Sequence, residues 1–430
     1  MQGAKSINIS KRLVMEAYQR VKANKGAAGV DQVTIDKFEE NLQNNLYKIW
    51  NRMSSGCYMP KPVMLVEIPK TGGGTRPLGI PTVGDRVAQM VVVLLMEPHV
   101  EPHFHEDSYA FRPNRSAHGA IDAAVIRCRT NPWVIDLDIK KFFDTIDHEL
   151  LIKAIGKHLP HSWMLLYIKR WLTVPYQLKD GSTQQREMGV PQGSVIGPIL
   201  ANLFLHYAFD LWVKRTYPDI PFERYADDCI IHCKTSGQVM HLRRAIQERL
   251  QQCKLELNEA KTRIVYCRSS NMRENYENTQ FDFLGYTFRP RWAKNGSGQV
   301  FTGFGAAVSR KAMKAMSARM RLWNSRELVL LSLEELAHKM NPVVQGWINY
   351  YGKFYPSQLR KFLQLLNDRL ASWVRAKFKR FRGRKMAAKY WLGRVAQNRP
   401  ELFAHWKWSV LPPTTRGKAE LNVDRIRRAV

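Results

Sequence analysis

The stretch that most constrains this chain is Phe222-Glu223-Arg224-Tyr225-Ala226-Asp227-Asp228-Cys229-Ile230-Ile231. Two adjacent aspartates lie between apolar flanks that read as short strands, which puts the pair in a tight turn. Neighbouring carboxylates beside buried strands repel one another, and solvent or a bound cation must offset that repulsion. An isolated Asp-Asp is most often a solvated hairpin tip, so the rest of the chain has to decide. A second acidic stretch is Trp133-Val134-Ile135-Asp136-Leu137-Asp138-Ile139-Lys140-Lys141-Phe142-Phe143-Asp144. Ile135 to Ile139 alternates apolar and acidic, predicting a strand with Asp136 and Asp138 on one face. A helix start follows, with Asp147 or Thr145 as its cap.

A carboxylate at a strand end, joined by Asp227 and Asp228 from a hairpin, could hold two Mg²⁺ ions. Such a pair activates an attacking hydroxyl and stabilises the leaving oxygen in phosphoryl transfer. Asp138 taken alone could equally be a solvent-facing strand residue. The surrounding motifs bear on the choice. Tyr225-Ala226-Asp227-Asp228 and the Asp138-Ile139-Lys140-Lys141-Phe142-Phe143-Asp144 run are accompanied by Val66–Lys70, Gly72–Thr82, Ser108–Pro113, Gly189–Gly193, Leu257–Thr262 and Phe283–Tyr286, in that order along the chain around them. Together they resemble the reverse transcriptase/maturases encoded by bacterial group II introns. Asn341–Tyr351 resembles the maturase, or thumb, segment. The resemblance runs from about residue 10 to about residue 408.

It implies an α+β fold: right-hand polymerase fingers and palm, with an antiparallel palm sheet plus helices, followed by an α-helical thumb/maturase domain and a small basic C-terminal region. The expected divisions are 1–60, an N-terminal helical extension placed against template or intron RNA; 61–295, fingers and palm; 305–375, thumb; and 376–430, a basic region for DNA or RNA. It also implies roles. Asp138 and Asp227 would bridge two Mg²⁺ ions with the Ile139 carbonyl helping, and Asp228 would be more peripheral. Lys70 and Arg76 would meet the phosphates of an incoming deoxynucleoside triphosphate. Phe143 would be a steric gate against a ribose 2′-OH. Gln192 would border the nucleotide and primer end, and Lys261 would lie near the leaving pyrophosphate. Arg112 and Arg115 would lie near the template. One departure stands out: many relatives carry Gly-Gly after the glutamine and Ser before the next Pro, where this chain has Ser194 and Gly197.

The charge agrees with a polyanionic partner. The formal net charge is +30. The stretch from Phe301 to Val430 holds 27 Lys or Arg against 7 Asp or Glu, and so carries +20 of it. Nucleic acid is the default partner of such a surface. A membrane is the competitor, but the longest apolar run, Val91 to Met96, is far short of about 18 residues. With no opening signal peptide, the expectation is a protein of the bacterial cytoplasm. The six cysteines form no pair of Cys-x-x-Cys knuckles and read as reduced, mostly buried thiols. None follows Cys267, so no cysteine-paired endonuclease module is expected after the thumb.

Apolar spacing predicts helices over Asn8–Arg20, Ile35–Met53, Asp85–Glu97, Val195–Trp212 and Gly237–Leu255. Phe281–Phe288 reads as the last palm strand pair, closed by a polar loop from Trp292 to Gly298. Thumb helices are expected over Lys311–Trp323, Ser332–Tyr351 and Gln358–Phe381, with a capping box from Ser332 to Glu335. Arg375, Lys377, Lys379, Arg380, Arg382 and Arg384 form a dense cationic run with Phe378 and Phe381 interleaved, a pattern suited to phosphate contact and base stacking. A second aromatic group, around Lys389–Trp391 and Phe403–Trp408, reads as a small core.

The leading reading is a Mg²⁺-dependent, RNA-templated DNA polymerase that binds its parent intron RNA, helps it splice, and supports retrohoming of that RNA into target DNA. An intron-free relative in repair or phage defence has the same residues. A splicing factor with a decayed polymerase site is disfavoured because Asp138, Asp227, Asp228, Lys70, Arg76 and Gln192 are all present. A basic binding protein without catalysis leaves the ordered motifs unexplained.

Overall fold

The structure, a computed structural model, describes residues 7–69, 74–159, 161–269, 276–294, 296–323 and 327–415. The chain divides into two compact units, Met1–Val265 and Tyr266–Val430.

The first unit is built round the helix Val83–Val100. The apolar run noted above lies inside it, and Val87, Val91, Val92, Met96 and Val100 are fully buried. A helix apolar on most sides belongs in a core; among the described residues no helix is long and apolar enough to cross a membrane. Thr82 caps its start, its Oγ1 accepting from the Asp85 amide at 3.1 Å. The N-terminal residues pack onto this unit. Helix Lys11–Asn24 lies on the central helix, Trp50 Nε1 donates to the Ile9 carbonyl at 2.7 Å, and Arg86 Nη2 donates to that of Ala27 at 2.6 Å. The helix expected over 35–53 is two, Ile35–Glu39 and Leu42–Ser54. Asn41 leaves helical dihedrals, and Asn45 Nδ2 donates to the Phe38 carbonyl at 3.0 Å, taking an acceptor that a continuous helix would use itself.

Two sheets complete the unit. In one the strand order is Thr75–Ile80, Val63–Pro69, Tyr176–Gln177, Thr183–Gln184; in the other it is Phe222–Tyr225, Asp228–Cys233, Trp133–Leu137, Arg263–Tyr266. The second is antiparallel across its first three strands. The helix expected over 195–212 is interrupted. It runs Gly197–Leu205, opens into a π turn at His206–Asp210, and resumes as Leu211–Thr216. The helix expected over 237–255 is Ser236–Gln252.

In the second unit, strands Phe281–Phe283, Tyr286–Lys294 and Val300–Val308 form one antiparallel sheet. Trp292 to Lys294 are therefore strand, not loop, paired from Trp292↔Thr302 to Lys294↔Val300. Arg289 and Arg291, just before this run, made it read as polar loop in the sequence. Arg291 in fact donates to the carbonyls of Gly305 at 3.1 Å and Thr287 at 3.0 Å.

Helices Arg310–Arg321, Leu333–Tyr351, Pro356–Lys377, Lys385–Asn398 and Ala404–Lys407 follow. The Ser332–Glu335 capping box is present. The helix expected to reach Phe381 stops at Lys377, because Phe378 turns extended and lays its ring against Trp373 and Trp391. A single apolar cluster spans Val308 to Val410, so residues 376–410 fold together with 308–375. Phe403 and Trp406 are buried in it, as a small core would require.

Candidate active site

The antiparallel register sets the acidic residues. Asp136 pairs with Ile230 and Leu137 with Cys229, so Asp138 leaves its strand level with the start of Asp228–Cys233. The hairpin turn is only Ala226 and Asp227, since Tyr225 already pairs with Asp228. The two aspartates are thus split. Asp227 sits half-buried in the turn and Asp228 is an exposed strand residue. Ala226 adopts a left-handed φ of 58°, which an L side chain disfavours. Burial raises the Asp227 carboxyl pKa above its ordinary value, and the charge of Asp138 pushes the same way, while Arg76 and Lys261 oppose it. Asp138 and Asp227 are therefore electrostatic neighbours.

Asp138 is held by the segment Leu257–Thr262. Asn258 Nδ2 donates to Asp138 Oδ2 at 2.7 Å, and the Asn258 amide donates to the Asp138 carbonyl at 2.9 Å. The Asp138 amide donates to Thr262 Oγ1 at 3.2 Å. Ile139, itself buried, bridges to Leu257. The exposed Lys261 ammonium lies 3.5 and 3.4 Å from the two carboxylate oxygens of Asp138. Asn258 lies inside the Leu257–Thr262 motif but was given no role by the sequence, where no local pattern marks it as the donor to Asp138.

A second chain of contacts runs from the strand Thr75–Ile80. Exposed Arg76 donates through Nε to Gln192 Oε1, and Gln192 Nε2 donates to Asp144 Oδ1 at 3.2 Å. The Gln192 carbonyl accepts from Gly79 N at 2.7 Å. Gly193 must be glycine here: φ is +109° and a Cβ would lie 2.5 Å from the Gly79 carbonyl. Phe143 is half-buried, its ring packed edge-on against Phe142 at 5.3 Å. The structure thus brings Arg76, Gln192 and Asp144 into one chain, beside Phe143. Lys70 lies outside the described residues.

The basic candidates divide. Arg112 faces inward: its side chain is 5 % exposed, pairs with Glu101 at 2.8 Å, and donates to the carbonyls of His105 and Ser108 at 2.6 Å each. Those bonds use its donors within the protein, so its position corrects the expectation of a template contact. Arg115 is exposed over the Tyr109 ring. In the C-terminal run, Lys379, Arg380, Arg382 and Arg384 are exposed and Arg375 is half-buried, while Lys377 donates to the Leu331 carbonyl. Phe381 is 8 % exposed and Phe378 packs on it and on Trp391. The rings expected as a stacking platform are core.

An antiparallel sheet that delivers two carboxylates to one end, faced by an arginine–glutamine chain, is the layout of a nucleic-acid polymerase palm. Comparison with known proteins makes the class specific. Residues 68–288 match the family described as reverse transcriptase (RNA-dependent DNA polymerase), and residues 313–391 match the group II intron, maturase-specific domain. The chain belongs to the reverse transcriptases, in the lineage that joins an RNA-dependent DNA polymerase to a group II intron maturase domain. Protein YkfC of Escherichia coli is 30% identical over 72% of this chain and 88% of its own. The group II intron-encoded protein LtrA of Lactococcus lactis is 36% identical over 44% of this chain and 32% of its own. The putative COX1/OXI3 intron 2 protein of Saccharomyces cerevisiae is 32% identical over 45% and 23% respectively. This chain therefore matches less than a third of the length of the latter two.

Proposed function

We propose that this reverse transcriptase copies an RNA template from a DNA primer with Mg²⁺ at Asp138 and Asp227, and that it binds group II intron RNA as a maturase, assisting splicing and retrohoming into DNA in the bacterial cytoplasm. The observation that carries the polymerase reading is the meeting of Asp138 and Asp227 at one sheet end.

The donor set fits the ion. Mg²⁺ takes one or two carboxylates and completes its shell with water and substrate phosphates. Among the described residues no three His, Cys, Asp or Glu side chains gather round a common point; Asp138 and Asp227 would supply the two carboxylates, and the Ile139 carbonyl would help. When bound, a metal pair would activate the primer hydroxyl and offset charge on the leaving pyrophosphate.

The protein's own residues do the rest. Asn258 and Thr262 orient Asp138. Arg76, steered by Gln192, offers a cation to a triphosphate, with Lys70 as its partner by sequence. Phe143 excludes a ribose 2′-OH, and Lys261 stands ready near the leaving group. Asp228, exposed beside the turn, takes a peripheral role. The maturase reading rests on the matched domain and on the basic run ending in Arg384.

Primer extension on an RNA template with Mg²⁺ and deoxynucleotides tests the reading. Wild type is expected to give full-length cDNA and Asp227→Ala none, with intron RNA binding retained in both. Robust synthesis by Asp227→Ala would remove the assignment.

A further inference from the structure

We infer that Arg224 is a positioning residue for polymerisation, fixing the turn that presents Asp227; the inference rests on Asp138 and Asp227 being the polymerising site. Arg224 is 1 % exposed. Every N–H of its guanidinium is used. Nε and Nη2 donate to the two carboxylate oxygens of Asp210 at 2.7 and 2.6 Å. Nη2 also donates to Ser108 Oγ at 2.8 Å. Nη1 donates to Asn202 Oδ1 at 3.0 Å and to the Ala226 carbonyl at 3.1 Å.

The last bond matters most. The Ala226 carbonyl belongs to the peptide group whose nitrogen is that of Asp227. Holding that oxygen fixes the peptide plane from which Asp227 departs. Ala226 has the left-handed φ of 58°, so the turn needs an outside constraint to stay in place. Arg224 supplies one from below, and its own backbone is fixed too. Its amide donates to the Asp107 carbonyl at 2.9 Å and its carbonyl accepts from Tyr109 at 2.9 Å.

The supporting groups come from three separate segments: Asp107–Tyr109, helix Gly197–Leu205, and the π turn His206–Asp210. The π turn lies where the helix carries Asp210, which is fully buried, and such turns occur often at functional sites. A buried ion pair is weak evidence for stability alone, since apolar side chains of like volume do as well. What the arginine adds is five directed bonds, one of which ends on the catalytic turn.

The test is single-nucleotide incorporation by the full chain on an RNA template with a DNA primer, over a Mg²⁺ titration and beside thermal melts. In Arg224→Lys, kcat is expected to fall on the order of 100-fold, the cost of a misplaced group, with a higher Mg²⁺ concentration at half-maximal rate. Adding Ala226→Gly, which accepts the left-handed φ without strain, should recover at least about tenfold in kcat, while the melting midpoint rises only by the small gain from relieved strain and stays below wild type. A structural role alone cannot produce that split. A kcat loss that simply follows the melting midpoint, with no recovery from Ala226→Gly, overturns the inference. Should Arg224→Lys fail to fold, Ser108→Ala removes one acceptor at little change in volume. Its kcat should fall several-fold at unchanged deoxynucleotide KM, and an unchanged kcat overturns the inference. Asp227→Ala run alongside separates the failures. If it remains active, the site reading falls; if it is dead while the Arg224 and Ser108 variants match wild type, only the role of Arg224 falls.

Discussion

Ser194 and Gly197 are reciprocal. A Cβ at Gly197 would lie 2.6 Å from Ser194 Oγ, and Ser194 is 7 % exposed. A side chain at 197 would therefore have to displace the Ser194 hydroxyl, so the two departures from the family pattern are in contact here. Gly197→Ser should destabilise the chain by about 1–3 kcal/mol, the usual cost of overpacking, and adding Ser194→Gly should restore most of it in a denaturant melt. Phe143 offers a second test at this scale. Replacing it with Ala opens the half-buried position beside Phe142, and ribonucleotide use relative to deoxynucleotide use is expected to rise by about tenfold or more, read by competing the two on one template. Single residues were legible where a motif names a chemical type. Asp138 and Asp227 fall together at one sheet end as their pattern suggested. Partners from distant segments were not legible. Nothing local marks Asn258 as the donor to Asp138 or Asp144 as the acceptor for Gln192, because each contact spans some fifty residues or more, and sequence periodicity reports only neighbours. The inward turn of Arg112 escaped notice for another reason: its partners, Glu101 and the carbonyls of His105 and Ser108, are near in sequence but belong to irregular backbone whose path no periodicity reports.

Among the elements, helices with one apolar stripe were recovered and their ends were not. The Pro356–Lys377 helix buries Leu359, Leu363, Leu366, Leu370 and Val374 along one face, the stripe that its spacing dictates. Its end is set by the tertiary packing of Phe378 against Trp373 and Trp391, information absent from the stripe. The far end of the strand Tyr286–Lys294, from Trp292, was hidden for a related reason, since the preceding Arg291 finds its carbonyl partner on Gly305 only once the sheet exists. Beyond the helix end, Lys379, Arg380, Arg382 and Arg384 stand on buried rings and not among exposed ones. The run should therefore act through phosphate charge. Neutralising Arg380, Arg382 and Arg384 together is expected to lower the log–log salt slope of single-stranded RNA binding by about 2, at roughly 0.7 per lost contact. Equal weakening for every RNA sequence should accompany it, and a slope unchanged in a filter-binding titration would place the contacts elsewhere.

Across the whole molecule, the buried histidines fall into two opposite states. In the first unit, burial alone would push His232 down, but the Glu223 carboxylate at 2.6 Å overrides it and lifts the pKa to about 10. The folded state therefore keeps a proton that the unfolded chain releases near 6.5. That stabilisation is complete below pH 6.5 and is lost as pH rises toward 10. In the second unit, burial pushes His405 down to about 3, where it lies against Asn367 at 3.0 Å. Its contribution is complete above pH 6.5 and is lost as pH falls toward 3, and His206, lowered by burial to about 4, adds to the same acid limb. Thermal midpoints taken from pH 5 to pH 10 should fall on both sides. His232→Gln should make the alkaline side shallower and His405→Gln the acid side.

The nearness of Lys261 to Asp138 would give cation binding there the character of ion exchange. A divalent ion at Asp138 would meet a carboxylate already attended, at 3.4 Å, by an ammonium on an exposed side chain. Its arrival would free that ammonium, and its departure would return it. The site's net charge would then swing by less than the charge on the ion entering and leaving it. A lysine that a motif search would count as one more nucleotide contact would, in this sense, be the ballast of the proposed active site.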